Sequence, residues 1–81
     1  MNQRSETEEL EVRLRAAGHV VTVSGLTDVD GAAAALGVTA RTLRRWRTSG
    51  TGPPHVEIGA RIWYPVESLS RWLDRSGHWR S

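Results

Sequence analysis

The chain contains no cysteine and no lysine, and it has no apolar run of the length that spans a membrane. Without cysteine, disulfide frameworks, thiolate metal sites and cysteine nucleophiles are all excluded. The three histidines are far apart in the sequence and have no carboxylate at ligand spacing, so we expect no metal site. The N-terminus is acidic and polar, unlike a signal peptide, which predicts a cytoplasmic location.

The motifs of catalysis are also missing. No nucleophile motif accompanies the hydroxyl side chains, and no glycine-rich phosphate loop is present. A chain of 81 residues forms one small domain, whose core is too thin to enclose a substrate pocket. We therefore predict that the protein is not an enzyme and needs no cofactor.

Charge is unevenly distributed along the chain. Residues 1–40 hold three arginines against six acidic residues, whereas residues 41–81 hold eight arginines against three acidic residues. The guanidinium group is a planar fork that binds phosphate and guanine edges through paired hydrogen bonds. A basic half next to an acidic half indicates a polyanionic partner on one side of the molecule. A GC-rich genome, whose codons favour arginine, is an alternative explanation for the missing lysine.

The N-terminal part, residues 1–25, is predicted to hold a helix and a linker. Ser5 followed by Glu8 matches a capping box at the start of the helix. Leu10 and Leu14 form a narrow apolar stripe along it. The β-branched run "HVVTV" that follows predicts a short strand or an extended linker, and "SGL" predicts a turn. The remainder, residues 26–81, is predicted to be the main domain.

Two helices separated by a short glycine turn come next. The segment "TDVDGAAAALG" predicts a helix that is capped by Thr27 or Asp28 and ended by Gly37, where a left-handed residue is preferred. Thr39 then caps a second helix, which runs to about Thr48. A helix, a short turn with glycine and a second helix are the signature of a helix-turn-helix.

The segment "HVEIGARIWY" predicts a β-hairpin around a Gly-Ala turn. Alternation along its strands divides the side chains into two sets. The predicted core-facing set is Val56, Ile58, Ile62 and Tyr64, and the predicted outer set is His55, Glu57, Arg61 and Trp63. The segment "PVESLSRWLDRSG" predicts a C-terminal helix that begins at Pro65 and ends at Gly77. Its predicted buried stripe consists of Val66, Leu69, Trp72 and Leu73.

The second helix, within "VTARTLRRWRTSG", concentrates four arginines. At about 100° per residue, Leu43 and Trp46 share the edge that faces the core. Arg41, Arg45 and Thr48 lie roughly opposite, Arg44 lies on one shoulder, and Arg47 lies nearer the core edge. Such a helix fits the major groove of B-form DNA, where arginine pairs with guanine. A solvated basic face is the alternative, but the preceding helix and the following hairpin with Arg61 favour a groove-binding helix.

The residues from Leu26 to Arg75 resemble a known family. The helix ending in "LGVT", then "RTLRRW", "GPPHVEIGARIWY" and "SLSRWL", are similar to small winged helix-turn-helix proteins that include phage excisionases, or recombination directionality factors. They are similar in turn to the DNA-binding domain of mercury-resistance-type regulators. The resemblance implies an α+β fold with a two-helix helix-turn-helix, a two-stranded wing and a C-terminal helix, here with an extra N-terminal helix.

The resemblance also implies which residues contact DNA. Carried over by position, these are Thr39, Arg41, Thr42, Arg44 and Arg45 on the recognition helix and Arg61 on the wing. We add Arg47 of the same helix and Trp63 of the wing to the predicted DNA-contacting residues. Arg41 and Arg45 are the best candidates for bases, whereas Arg44 and Arg47 suit phosphates. Trp63 departs from the family pattern, which usually has a polar or basic residue there. It could brace the wing, contact DNA sugar, meet another protomer or pack on the N-terminal helix, and Trp79 could bind a partner or pack on the domain.

The implied function is that of an excisionase, which binds and bends attachment-site DNA and directs a phage integrase toward excision in the bacterial host cell. Its partners would be double-stranded DNA, the integrase and neighbouring copies arranged head to tail on DNA. A small phage transcription regulator with the same fold is an alternative. A third interpretation is a protein–protein adaptor that uses the Leu10 and Leu14 helix, and a DNA affinity independent of salt would favour it.

Overall fold

The computed structural model describes residues 3–76, which form four helices and three short strands. Their order is α1 (Gln3–Ala16), β1 (Leu26–Thr27), α2 (Val29–Leu36), α3 (Ala40–Thr48), β2 (Val56–Ile58), β3 (Arg61–Pro65) and α4 (Val66–Ser76). The strands form an antiparallel sheet of order β1-β3-β2. The helix-turn-helix, the two-stranded wing and the C-terminal helix are thereby confirmed. Trp79 and the predicted helix end at Gly77 lie outside the described residues.

Capping side chains determine where α2 and α3 begin. Asp28 accepts a hydrogen bond from the amide of Gly31 at 2.8 Å, and Thr39 accepts one from the amide of Thr42 at 3.1 Å. Between the helices, Gly37 has a φ of 73°, which is the left-handed conformation that glycine adopts without a Cβ penalty. These caps confirm the predicted helix-turn-helix.

The start of α1 differs from the prediction. The helix already includes Gln3, so Ser5 lies inside it and does not cap it. Arg4 pairs with Glu8 across one turn at 3.9 Å, which engages the carboxylate that the capping box would have used. Leu10 and Leu14 are buried against α4 and α2, in the same core as the helix-turn-helix. These two leucines are therefore not exposed for an adaptor role.

The segment between α1 and β1 is a linker with turns at residues 17–18 and 23–25. In the run "HVVTV", Val21 forms a single bridge with Thr27, and no longer strand develops. Residues 23–25 form the turn that "SGL" predicts, and β1 begins directly after it at Leu26 and pairs with β3. A strand of two residues is too short to leave a periodic signal, so the sequence does not reveal β1.

The hairpin is confirmed, but its faces are not those predicted. The two-residue connection pairs Ile58 with Arg61 and Val56 with Trp63. Because directly opposed residues share a side of the sheet, the two aliphatic residues of β2 join Arg61 and Trp63 on the outer side. Val56 and Ile58 are accordingly 39% and 56% exposed. The inner side instead holds His55, Glu57, Ile62 and Tyr64.

The core is a thin layer to which every helix contributes. Its buried members are Leu10, Leu14, Ala32, Ala33, Leu36, Leu43, Tyr64, Val66, Leu69 and Leu73. The predicted stripe of α4 is largely confirmed, although Trp72 is only half-buried. The helix starts at Val66 instead of Pro65, because Pro65 ends β3 and pairs with Leu26. Within residues 3–76, no helix combines the length and the hydropathy that a membrane span needs.

We predict that Gly31→Ala lowers the free energy of unfolding by about 1–3 kcal/mol, as measured by urea denaturation. A Cβ at this position would overlap Thr27 Oγ1. Thr27 is fully buried, and its Oγ1 donates to the carbonyl of Val20 at 2.7 Å, so it cannot move without breaking that bond. On a Thr27→Ala background the overlapping atom is gone, and Gly31→Ala should cost much less. An equal cost on both backgrounds would contradict this explanation.

Candidate nucleic-acid interface

Two side chains hold α3 to the body of the domain. Leu43 is 1% exposed in the core. The Trp46 ring lies 6.2 Å from the Trp72 ring at an interplanar angle of 43°, a favourable tilted arrangement. Trp46 is also in close contact with Gly52, where an added Cβ would lie 3.0 Å from the Trp46 Cβ. The predicted core edge of α3 is thus confirmed.

The opposite side of α3 presents an exposed row of positive charge. Arg41, Arg44 and Arg45 are exposed, and within residues 3–76 none of them pairs with a carboxylate. Other arginines are paired with glutamates one turn away, namely Arg4 with Glu8, Arg13 with Glu9 and Arg71 with Glu67. We call Arg41, Arg44, Arg45 and Thr48 the α3 outward face. This face carries positive charge that no neighbouring acid compensates.

Thr39 and Thr42 lie at the start of α3. Thr39 Oγ1 accepts from the amide of Thr42, and it also donates to Thr42 Oγ1 at 3.0 Å. Both hydroxyls are therefore engaged in the cap, which orients the first turn of the helix.

Arg47 lies on the side of α3 that faces the hairpin. Its Nη1 donates to Tyr64 Oη at 3.4 Å, and it is half-buried, as its predicted place near the core edge implies. The ring of Tyr64 in turn lies 6.0 Å from the ring of His55. This set joins α3 to the wing, and it includes a histidine that was not among the predicted DNA-contacting residues. The signal that could have identified His55 is its place opposite Tyr64 in the strand register.

The two predicted wing residues lie together on the outer side of the hairpin. The guanidinium carbon of Arg61 lies 5.4 Å from the centroid of the Trp63 ring, within the range of a cation–π interaction. Trp63 therefore packs against Arg61. The N-terminal helix, which was an alternative contact for Trp63, packs against α4 and α2. Over the described part of the chain, no hydrogen bond or ring contact joins this pair to α3.

The fold and the site define a small winged helix-turn-helix domain of the DNA-binding class. A family model described as "Helix-turn-helix domain" matches residues 28–77, which is more than half of the chain. The chain therefore belongs to this helix-turn-helix family, whose members bind DNA and are typically non-enzymatic. No curated protein matched the chain, and neither did any solved structure.

We predict that Arg45→Ala weakens binding to the specific DNA site by about 1–3 kcal/mol, because the lost guanidinium would contact a base. The site would first be selected from random duplexes, and affinity would be measured by fluorescence anisotropy. Arg4→Ala is the matched control, since it removes the same charge from an exposed residue of α1. Equal losses in the two variants, or no loss in Arg45→Ala, would exclude base reading by Arg45.

Proposed function

We propose that α3 enters the major groove of double-stranded DNA and that the protein acts as an excisionase, which bends attachment-site DNA and directs an integrase toward excision. The uncompensated arginines of the α3 outward face carry this proposal. They lie on a helix that is anchored by its opposite edge, so the whole exposed side is free to face a groove.

The positions around α3 suggest separate roles for its arginines. Arg41 and Arg45 are about 40° apart on the helix and point directly away from Leu43, so they reach base edges. Arg44, on the shoulder, reaches a phosphate at the groove edge. The backbone amide of Thr39 at the helix start is a further phosphate donor, because the positive end of a helix favours anions.

The wing extends the contact to the flanking duplex. Trp63 packs against Arg61, which is exposed on the hairpin. In the proposed complex the guanidinium binds a backbone phosphate and the Trp63 ring contacts the neighbouring sugar. Both side chains lie on the outer side of the hairpin, away from Tyr64.

Two points support a role in recombination. The helix-turn-helix family to which the chain belongs includes excisionase-like proteins. In addition, a single module of this size buries about 600–1,000 Å² on DNA, so adjacent copies and an integrase partner would raise its affinity. We propose that the protein contacts neighbouring copies of itself and an integrase, in the cytoplasm of a bacterial host cell.

Footprinting on the DNA that flanks the gene, with and without the cognate integrase, tests this role. We expect several adjacent protected sites beside an attachment site. In gels, DNA fragments that carry the bound site at their centre should migrate more slowly than fragments that carry it near an end, as DNA bending produces. Purified integrase should yield the excised product only when the protein is added. A variant in which Arg41, Arg44 and Arg45 are all alanine serves as the matched negative control.

Protection of a promoter alone, with integrase activity unchanged, would contradict the excision role. The same domain would then act as a phage transcription regulator.

We predict that Arg61→Ala weakens binding to specific and random duplexes by similar factors, because a phosphate contact carries no sequence information. The salt dependence of log affinity should become shallower by about 0.9, as expected for one phosphate contact. Anisotropy titrations at several salt concentrations, on both duplexes, measure the two effects. A loss confined to the specific duplex would show that Arg61 reads a base.

A further inference from the structure

A corner between α3 and the wing holds a histidine that the predicted DNA contacts do not include. His55 is exposed, and its ring lies 6.0 Å from the ring of Tyr64. Tyr64 Oη accepts a hydrogen bond from Arg47 of α3 at 3.4 Å. We call Arg47, His55 and Tyr64 the His55 corner. It contains one permanent cation and one imidazole, next to a buried phenol.

The helix geometry places this corner beside the proposed DNA. Measured around α3 from Leu43, Arg47 lies at about 40° and Arg44 at about 100° on the same side, whereas Trp46 lies on the other side. Because Arg47 bonds to Tyr64 of β3, the wing lies on the side of α3 that carries Arg44. When a duplex docks on the α3 outward face, the phosphates at the edge of its groove therefore lie next to the His55 corner.

The loop before His55 is fixed to α3. The amide of Thr51 donates to the carbonyl of Trp46 at 2.8 Å, and its hydroxyl donates to the same carbonyl at 3.2 Å. Gly52 packs on the Trp46 side chain, and Pro53 is buried. The backbone that leads to His55 is thus anchored to α3 before DNA binds, which reduces the entropy lost when a contact forms.

We propose that the His55 corner binds a backbone phosphate of duplex DNA, with the protonated imidazole of His55 as the donor beside Arg47. This inference rests on the proposed docking of α3. Imidazoles change charge between about pH 5 and 8, so protonation can be coupled to binding. The charged groups that face His55 are Glu57, on the same side of β2, and Arg47, which reaches Tyr64 from α3.

The sign of the coupling follows from the charges. A phosphate binds the protonated form better, so complex formation takes up a proton and the affinity for DNA rises as the pH falls from 8 to 6. At pH 6 the corner adds one phosphate contact, which should steepen the slope of log affinity against log salt by about 0.9 relative to pH 8.

Anisotropy titrations of the full chain with one duplex, over a salt series at pH 6 and at pH 8, test the proposal. The wild type should show the steeper slope at pH 6. His55→Gln should show the shallower slope at both pH values, and His55→Arg the steeper slope at both. His19→Gln, in the linker after α1, is the matched control and should behave as the wild type does. Circular dichroism checks that each variant is folded, as expected for a change at an exposed residue.

A wild-type slope that is the same at both pH values, or a pH response that persists in His55→Gln, would overturn the phosphate contact alone. A wild type that binds no duplex at either pH, or whose binding is unchanged by alanines at Arg41, Arg44 and Arg45, would overturn the docking of α3 itself. The two failures are therefore distinguishable.

Discussion

The arrangement of α3 and the wing depends on the burial of Tyr64. Its side chain is 1% exposed, and burying its polar phenol oxygen without a hydrogen bond would cost folding free energy. Arg47 supplies that bond from α3, while Thr27 of β1 pairs with Tyr64 along the sheet. One residue of the central strand is therefore tied to both the recognition helix and the opposite edge strand. A domain that contacts a groove and the flanking backbone at once needs this fixed alignment.

The other helices and the sheet pack closely around α2, and the rest of the core depends on this close approach. This helix contacts α1, α3, α4 and the sheet, and its buried residues include Gly31, Ala32 and Ala33. Small side chains allow four neighbours to gather around one short helix, and larger residues from those neighbours then fill the core. In a small domain, whose buried surface is limited, the two leucines of α1 enlarge this core. The N-terminal helix is thus part of the structure that supports α3.

Features specified by local chemistry could be predicted from the sequence. The caps at Asp28 and Thr39 and the left-handed Gly37 act within one helical turn, so "TDVDGAAAALGVT" sufficed to place the helix-turn-helix. Features that depend on pairing could not be predicted as well. Alternation along β2 separates two sets of side chains, and the two-residue connection opposes Ile58 to Arg61, but hydrophobicity alone groups Ile58 with Ile62 and Tyr64. That is why Val56 and Ile58 were assigned to the core side and His55 to the outer side.

The same limit applies within the site. The helical spacing of about 100° per residue was enough to place Arg41, Arg44 and Arg45 outward and Leu43 inward, because helical periodicity is a local property of the sequence. The contact of Arg47 with Tyr64 joins residues 17 positions apart, and it became visible only in three dimensions. Gly31 is a second example. A glycine is compatible with the first turn of a helix, but the close approach of Thr27, which explains why this position holds glycine, is visible only in three dimensions.

The pairing of charges differs between α3 and the other helices that carry arginine. Arg13 of α1 and Arg71 of α4 pair with glutamates one turn away, whereas α3 contains no acidic residue. Like charges at these spacings destabilise a helix by about 0.2–0.5 kcal/mol per pair, so the row at Arg41, Arg44 and Arg45 opposes helix formation. The Thr39 cap and the Leu43 and Trp46 contacts offset that repulsion. The glutamates reduce the field of the arginines with which they pair, whereas the charge of α3 has no such partner, and a polyanion bound there would relieve the repulsion.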